Sequence, residues 1–132
     1  MQDQPAAYDL VAAVREFIET VAMPKLAGHD AFHARVAANA LAIVERELAI
    51  APDADAAEAV RLKALLGGDG DVRALNVALC EAIRDGRLTL KTPGLSAHLW
   101  QTTLTKLAID QPRYAAYRRA LAQAAPTPET QP

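Results

Sequence analysis

His29 and His33 stand four residues apart, a spacing that puts two imidazoles on one helical face and allows them to chelate zinc. A zinc site needs further ligands. Neither a cysteine nor an HExxH arrangement lies near the pair, so it reads as a helix-start His29 near solvent and a partly buried His33. The run Gly67 to Asp71, GGDGD, resembles an ion-binding loop only superficially. A phosphate loop would continue into Lys-Ser or Lys-Thr, and a calcium loop would alternate acids up to a closing Glu. It reads as a turn followed by a helix cap. Ser96 and His98 are too close in sequence to build a triad, and no G-x-S-x-G elbow is present. Cys80 sits one residue from an apolar stripe and reads as a small buried residue, because a nucleophilic thiol needs a neighbouring base or cation. The residues supply no catalytic constellation, no metal-ligand set and no cofactor motif.

Three polar positions suggest recognition instead. Arg35, Asn39 and Arg46 fall within about 40° of one another on a helix, forming a ridge along the edge of a face made by Phe32, Val36 and Ile43. Such a ridge either faces solvent or serves as a partner-binding seam, for which the forked guanidinium is well suited. Lys106 shares a stripe with Leu95 and Leu99, where it either snorkels outward or pairs with a carboxylate such as Glu45 or Glu47. Arg113, Tyr114, Tyr117, Arg118 and Arg119 combine bases with aromatics. In a basic chain they would suggest nucleic acid, but the formal charge is −2. An amphipathic helix with inward tyrosines fits better, and Tyr and Arg also suit a protein interface.

These residues must be positioned by helices. The 132 residues suit one domain, expected to span 1–124 and to be followed by a disordered Pro-rich tail, 125–132. Alanine is abundant, aromatics are 5% of the chain, and the expected class is all-α, a compact bundle of five to six helices. A first helix is expected from about Pro5 to Ala22, burying Leu10, Val14, Phe17 and Val21 with Val11 and Ile18 beside them, and with Arg15, Glu16 and Glu19 pointing away. The central helix runs from about 30 to 50, capped by Asp30. Its Phe32–Val36–Ile43 face is expected in the core, and its many alanines permit close approach of a neighbour. Replacing Leu41 or Ile43 by Ala should then cost about 2–5 kcal/mol. The helix should end near Ala51-Pro52, and a short third helix capped by Asp53 or Asp55 should reach Leu66. A fourth helix, capped by Asp69 or Asp71, should bury Val72, Leu75, Leu79 and Ile83 and stop at Gly86. Arg87 to Lys91 could be a short extended piece. A fifth helix opens at Thr92-Pro93, with Leu95 and Leu99 on one stripe and Trp100, Leu104 and Leu107 on another. A last one follows Pro112. No signal peptide and no membrane-length apolar run is visible, and a lone cysteine fits a reducing compartment, so the expected location is the cytoplasm.

Three pieces in order, Phe32 to Leu48, Leu79 to Leu88 and Leu104 to Tyr114, carry a family likeness. Together they resemble a family of small bacterial proteins known as a domain of unknown function. Members are typically encoded beside aminoglycoside-phosphotransferase-like kinases and acyl-CoA dehydrogenases. The resemblance therefore implies a non-catalytic accessory subunit of a hydroxyacyl-CoA kinase, similar to the small protein of bacterial levulinate catabolism. The kinase would bring the nucleotide site, the magnesium ligands and the catalytic base. Within or beside the matching pieces, the expected partner-binding residues are Arg35, Asn39, Arg46, Lys106, Arg113 and Tyr114. Two other readings stand beside it. One is a stand-alone acyl-CoA-binding protein or small enzyme using Lys106, Arg113 and Arg118. The other is a homodimeric helical scaffold. No nucleic acid, membrane, metal or cofactor is expected.

Overall fold

The computed structural model describes residues 4–124. Five α-helices follow in order: α1 (Ala7–Phe17), α2 (Gly28–Leu66), α3 (Val72–Arg84), α4 (Leu95–Asp110) and α5 (Ala115–Ala124). No strand occurs among the described residues, so the all-α expectation is met. The tail 125–132 lies outside them. The chain divides into two compact units, Met1–Ala56 and Ala57–Pro132.

In the first unit α1 passes into a π turn, Ile18–Ala22, and a 3-10 turn, Met23–Lys25. Pro24 explains the widening. It has no amide to give to the Thr20 carbonyl, and its ring crowds that carbonyl, so the preceding turn opens. The Met23 amide reaches back to the Ile18 carbonyl, and the Thr20 hydroxyl donates to the Glu16 carbonyl at 2.7 Å. The Asp9 carboxylate caps the first turn of α1 by accepting from the Ala6 amide. Helix α2 begins at Gly28, whose positive φ suits glycine. Asp30 therefore lies inside the first turn, where it complements the helix dipole, instead of capping it.

The orientation of both helices overturns the sequence expectation. The covered side of α1 carries Val11, Ala12, Arg15, Ile18 of the π turn and Ala22, and Arg15 sits at its middle. The stripe Leu10–Val14–Phe17–Val21 lies roughly 120° away around the helix. All four of its side chains are exposed. On α2 the covered side is small: Ala31, Ala34, Ala38, Leu41, Ala42 and Glu45, with Ala38 fully buried. Phe32, Val36 and Ile43 are again on the far side, roughly 140° round, and exposed. Arg15 lies between the two covered sides. Its guanidinium donates from Nε to Glu45 Oε2 at 2.7 Å and from Nη2 to Glu45 Oε1 at 3.5 Å, which fixes these two helices through a polar pair among small residues.

Helix α2 does not stop at Pro52. Proline there forfeits one hydrogen bond, a cost of about 3 kcal/mol in a helix interior. Ala49, Ala51, Ala54, Ala56 and Ala57 favour helix on either side, and the complete burial of Leu62 anchors the segment beyond it. The expected third helix is therefore a continuation, and Asp53 and Asp55 are exposed residues within it.

The second unit holds the apolar core. Leu62 of α2, Leu75 and Leu79 of α3 and Leu95 of α4 form one buried cluster, with Leu65, Leu66, Val72 and Leu88 against it. Asp71 caps α3 by accepting from the Ala74 amide at 2.8 Å. Ala82 is buried where Ile83 was expected, and Ile83 is exposed. Asn76 ties α3 to α2, donating from Nδ2 to Glu58 Oε1 at 2.6 Å and to the Val72 carbonyl. Arg87 to Lys91 is a pair of turns: the Leu88 amide donates to the Ala82 carbonyl, and the Thr92 hydroxyl accepts from the Thr89 amide. With Thr92 so engaged, α4 starts at Leu95 behind Gly94, which takes φ 85°. The buried side of α4 is Leu95, His98 and Ile109, with Thr102 half-buried. Leu99 and Trp100 point outward.

Candidate functional site

Two features of the surface have the character of a site, one in each unit. In the first unit, the outward stripes of α1 and α2 leave a set of large apolar side chains in water. Phe17 and Phe32 are 58% and 59% exposed, and Val14 and Val36 about half exposed. Val44 and Leu48 extend the uncovered surface along α2. Apolar side chains clustered at this density on helical faces are typical of surfaces that meet another macromolecule. Of the ridge expected from the sequence, Arg35 and Asn39 are exposed on α2, between the alanine side and the Phe32–Val36–Ile43 stripe. Arg46 continues it, half-buried beside Glu45, whose carboxylate feels its charge. Glu45 is held below its usual range chiefly by the Arg15 hydrogen bond, with burial opposing and Tyr8 also donating to it. Glu45 is therefore the partner of Arg15, where the sequence offered it to Lys106.

The other expected residues belong to the second unit. Lys106 is exposed on α4, and Arg113 and Tyr114 are exposed in the turn before α5. The Tyr114 amide donates to the Gln111 carbonyl at 2.9 Å, and the Tyr114 carbonyl accepts from Arg118. Tyr117 is half-buried, as an inward tyrosine should be, but Tyr114 is not. Cys80 is exposed on α3 and is not the buried residue that its neighbour Leu79 suggested. His29 and His33 do share one face, their Nε2 atoms 3.2 Å apart in an edge-on ring contact. Among the described residues no group of three or more metal-ligating side chains gathers there or elsewhere.

The second feature is a cleft of about 480 Å³ between α2 and the start of α4. Arg61, His98 and Gln101 give it polar groups, and Ala64, Leu65, Pro93 and Ala97 give it apolar walls. His98 is only 2% exposed, and its Nδ1 is buried without a hydrogen-bond partner, as is Arg61 Nε. Burial holds the His98 imidazole below its usual value. The Arg61 charge adds to this, and the Glu58 carboxylate pulls the other way. The sequence reading weighed His98 only with Ser96, as a triad candidate, and did not single out Arg61 or Gln101. The signal was present in the spacing Leu95, His98, Thr102, Ile109, which is one helical face.

No helix among the described residues is long and apolar enough to cross a membrane. No curated protein and no solved structure matches the chain. The family model for the domain of unknown function DUF6285 matches residues 24–114, which includes α2, α3, α4 and the turn that holds Arg113 and Tyr114. The chain thus belongs to the DUF6285 family.

Proposed function

We propose that this protein is a non-catalytic accessory subunit that binds an aminoglycoside-phosphotransferase-like hydroxyacyl-CoA kinase and stabilises or activates it. The observation that supports the reading is the outward placement of Leu10, Val14, Phe17 and Val21 on the first helical segment and of Phe32, Val36 and Ile43 on α2. A helix pair held by alanines and one ion pair has its larger apolar side chains free to enter another protein. Covering them removes apolar surface from water at roughly 25 cal/mol per Å². Arg35 and Asn39 at the border would give the polar rim that fixes register. The identity of the partner comes from the family likeness. A subunit of this kind raises activity by binding the competent conformation of its partner more tightly than the others.

Co-expression with a kinase of that class tests the reading. A co-purifying complex that elutes as one species on size exclusion is the expected result. Two separate peaks at micromolar concentration contradict it. A doubled mass of the protein alone would favour a homodimeric scaffold instead.

A further inference from the structure

The cleft in the second unit is built for a ligand that the docking surface does not need. Its volume of about 480 Å³ falls in the range of small-molecule sites, roughly 300–1,000 Å³. Two independent sources of hydrogen-bond donors meet there, beside a buried imidazole whose free nitrogen donates or accepts according to its tautomer. Arg61 contributes a guanidinium whose Nε is buried and unpartnered. Helix α4 contributes its N-terminus: Gly94 precedes it without a side chain, and while the Leu95 amide donates to the Thr92 carbonyl at 3.2 Å, no side-chain oxygen caps the amides of Ser96 and Ala97. His98, 2% exposed and with an unpartnered Nδ1, lines the same space one turn into the helix. No carboxylate is among the lining residues. Glu58, the acid that acts on His98, is already hydrogen-bonded to Asn76. Buried polar atoms without partners are costly, and the Arg61 guanidinium, which only donates, suits an acceptor-bearing guest.

We propose that this cleft binds a small organic anion, a carboxylate or phosphate monoester with a short apolar body. The anionic oxygens lie against the Arg61 fork and the Ser96 and Ala97 amides of α4, where a helix N-terminus favours negative charge. The body lies along Ala64, Leu65, Pro93 and Ala97. Gln101 at the rim accepts or donates to a polar substituent. The proposal is independent of the accessory-subunit reading, and the isolated full chain is sufficient to test it.

Titrations of the full chain with hexanoate, hexyl phosphate, 1-hexanol and inorganic phosphate, followed by amide and imidazole NMR shifts, decide it. Hexanoate or hexyl phosphate should move the resonances of His98, Ala97 and Gln101 saturably. Hexanol, with the same body and no charge, should bind roughly tenfold more weakly or worse, as should inorganic phosphate, which lacks the body. Arg61→Gln should weaken the better anion by a similar factor, and Ala97→Phe should abolish binding by filling the slot. Far-ultraviolet circular dichroism shows whether each variant is folded. If one is not, the other variant and the selectivity of the unaltered protein still decide. Equal binding of hexanol and the anions would overturn the anion assignment. Equal binding of inorganic phosphate would overturn the part given to the apolar wall. Absence of saturable shifts with both hexyl anions would overturn the proposal as a whole.

Discussion

Arg15 Nε donates to Glu45 Oε2 at 2.7 Å, and Arg15 Nη1 donates to Glu19 at 2.8 Å, so one guanidinium links α1, the π turn and α2. This pair, set among alanines, lies on the covered side of both helices. Replacing Arg15 by Ala or Glu45 by Gln should lower the denaturation midpoint. The double variant should lose less than the sum of the two, as the shared interaction is removed once. The pH sign follows from the shift. Glu45 is depressed below its usual value of 4.5, so its contribution is present above that pH and is lost as pH falls through the folded-state value. Urea midpoints of wild type and Glu45→Gln should therefore converge in acid. A gap that stays constant down to strongly acidic pH would show that the pair contributes nothing.

The core lies at Leu62, not at the Phe32–Val36–Ile43 face. Leu62→Ala should cost about 2–5 kcal/mol, the usual loss for a fully buried leucine. Ile43→Ala should cost less than about 1 kcal/mol, since Ile43 is exposed. Chemical denaturation of the two variants side by side checks both, and the reverse order would put the core where the hydropathy pattern expected it.

Gly94 occupies the left-handed region at φ 85° immediately before α4. A Cβ there would meet Leu65 Cδ2 at 3.6 Å, an ordinary contact, so the cost of Gly94→Ala is conformational. It should be about 1–2 kcal/mol, measured by thermal or urea unfolding.

His98 is buried and held below its usual value of 6.5 by its surroundings. The unfolded chain binds the proton more readily, so the contribution of a neutral His98 is complete above that value and falls away as pH drops below it. Imidazole NMR should show His98 titrating below the usual histidine value of 6.5. A His98 midpoint at or above that value would contradict its burial.

Several helix ends were legible in the sequence. Asp71 as a cap, Gly67 and Gly86 as stops, and Leu75 and Leu79 as buried residues all follow from local rules that the structure obeys. The rotation of α1 and of the first part of α2 was not legible. Apolar periodicity marks the side that would gain most from burial within the chain, and here that side is exposed. The side that is covered is made of Ala31, Ala34, Ala38 and Ala42, whose value lies in close backbone approach, and hydropathy barely registers it. Pro52 misled for a related reason: a proline forfeits a local hydrogen bond, while the segment is held by alanine propensity and by Leu62 ten residues on. Of the candidate site, the ridge of Arg35, Asn39 and Arg46 could be placed from 100° per residue alone. The cleft could not, because it joins Arg61 to His98 across a separation in sequence that only the folded chain closes.

The most direct measurement is size exclusion with light scattering on the co-expressed kinase and protein, wild type against the double variant Phe32→Ser, Val36→Ser. Both side chains are about half exposed or more, so the variant should keep its helicity and its unfolding midpoint within about 1 kcal/mol. The expected result is one complex for the wild type and two separate species for the folded variant. A complex that survives the double substitution, or a wild type that never associates, would contradict the assignment of the outward apolar stripes to a partner.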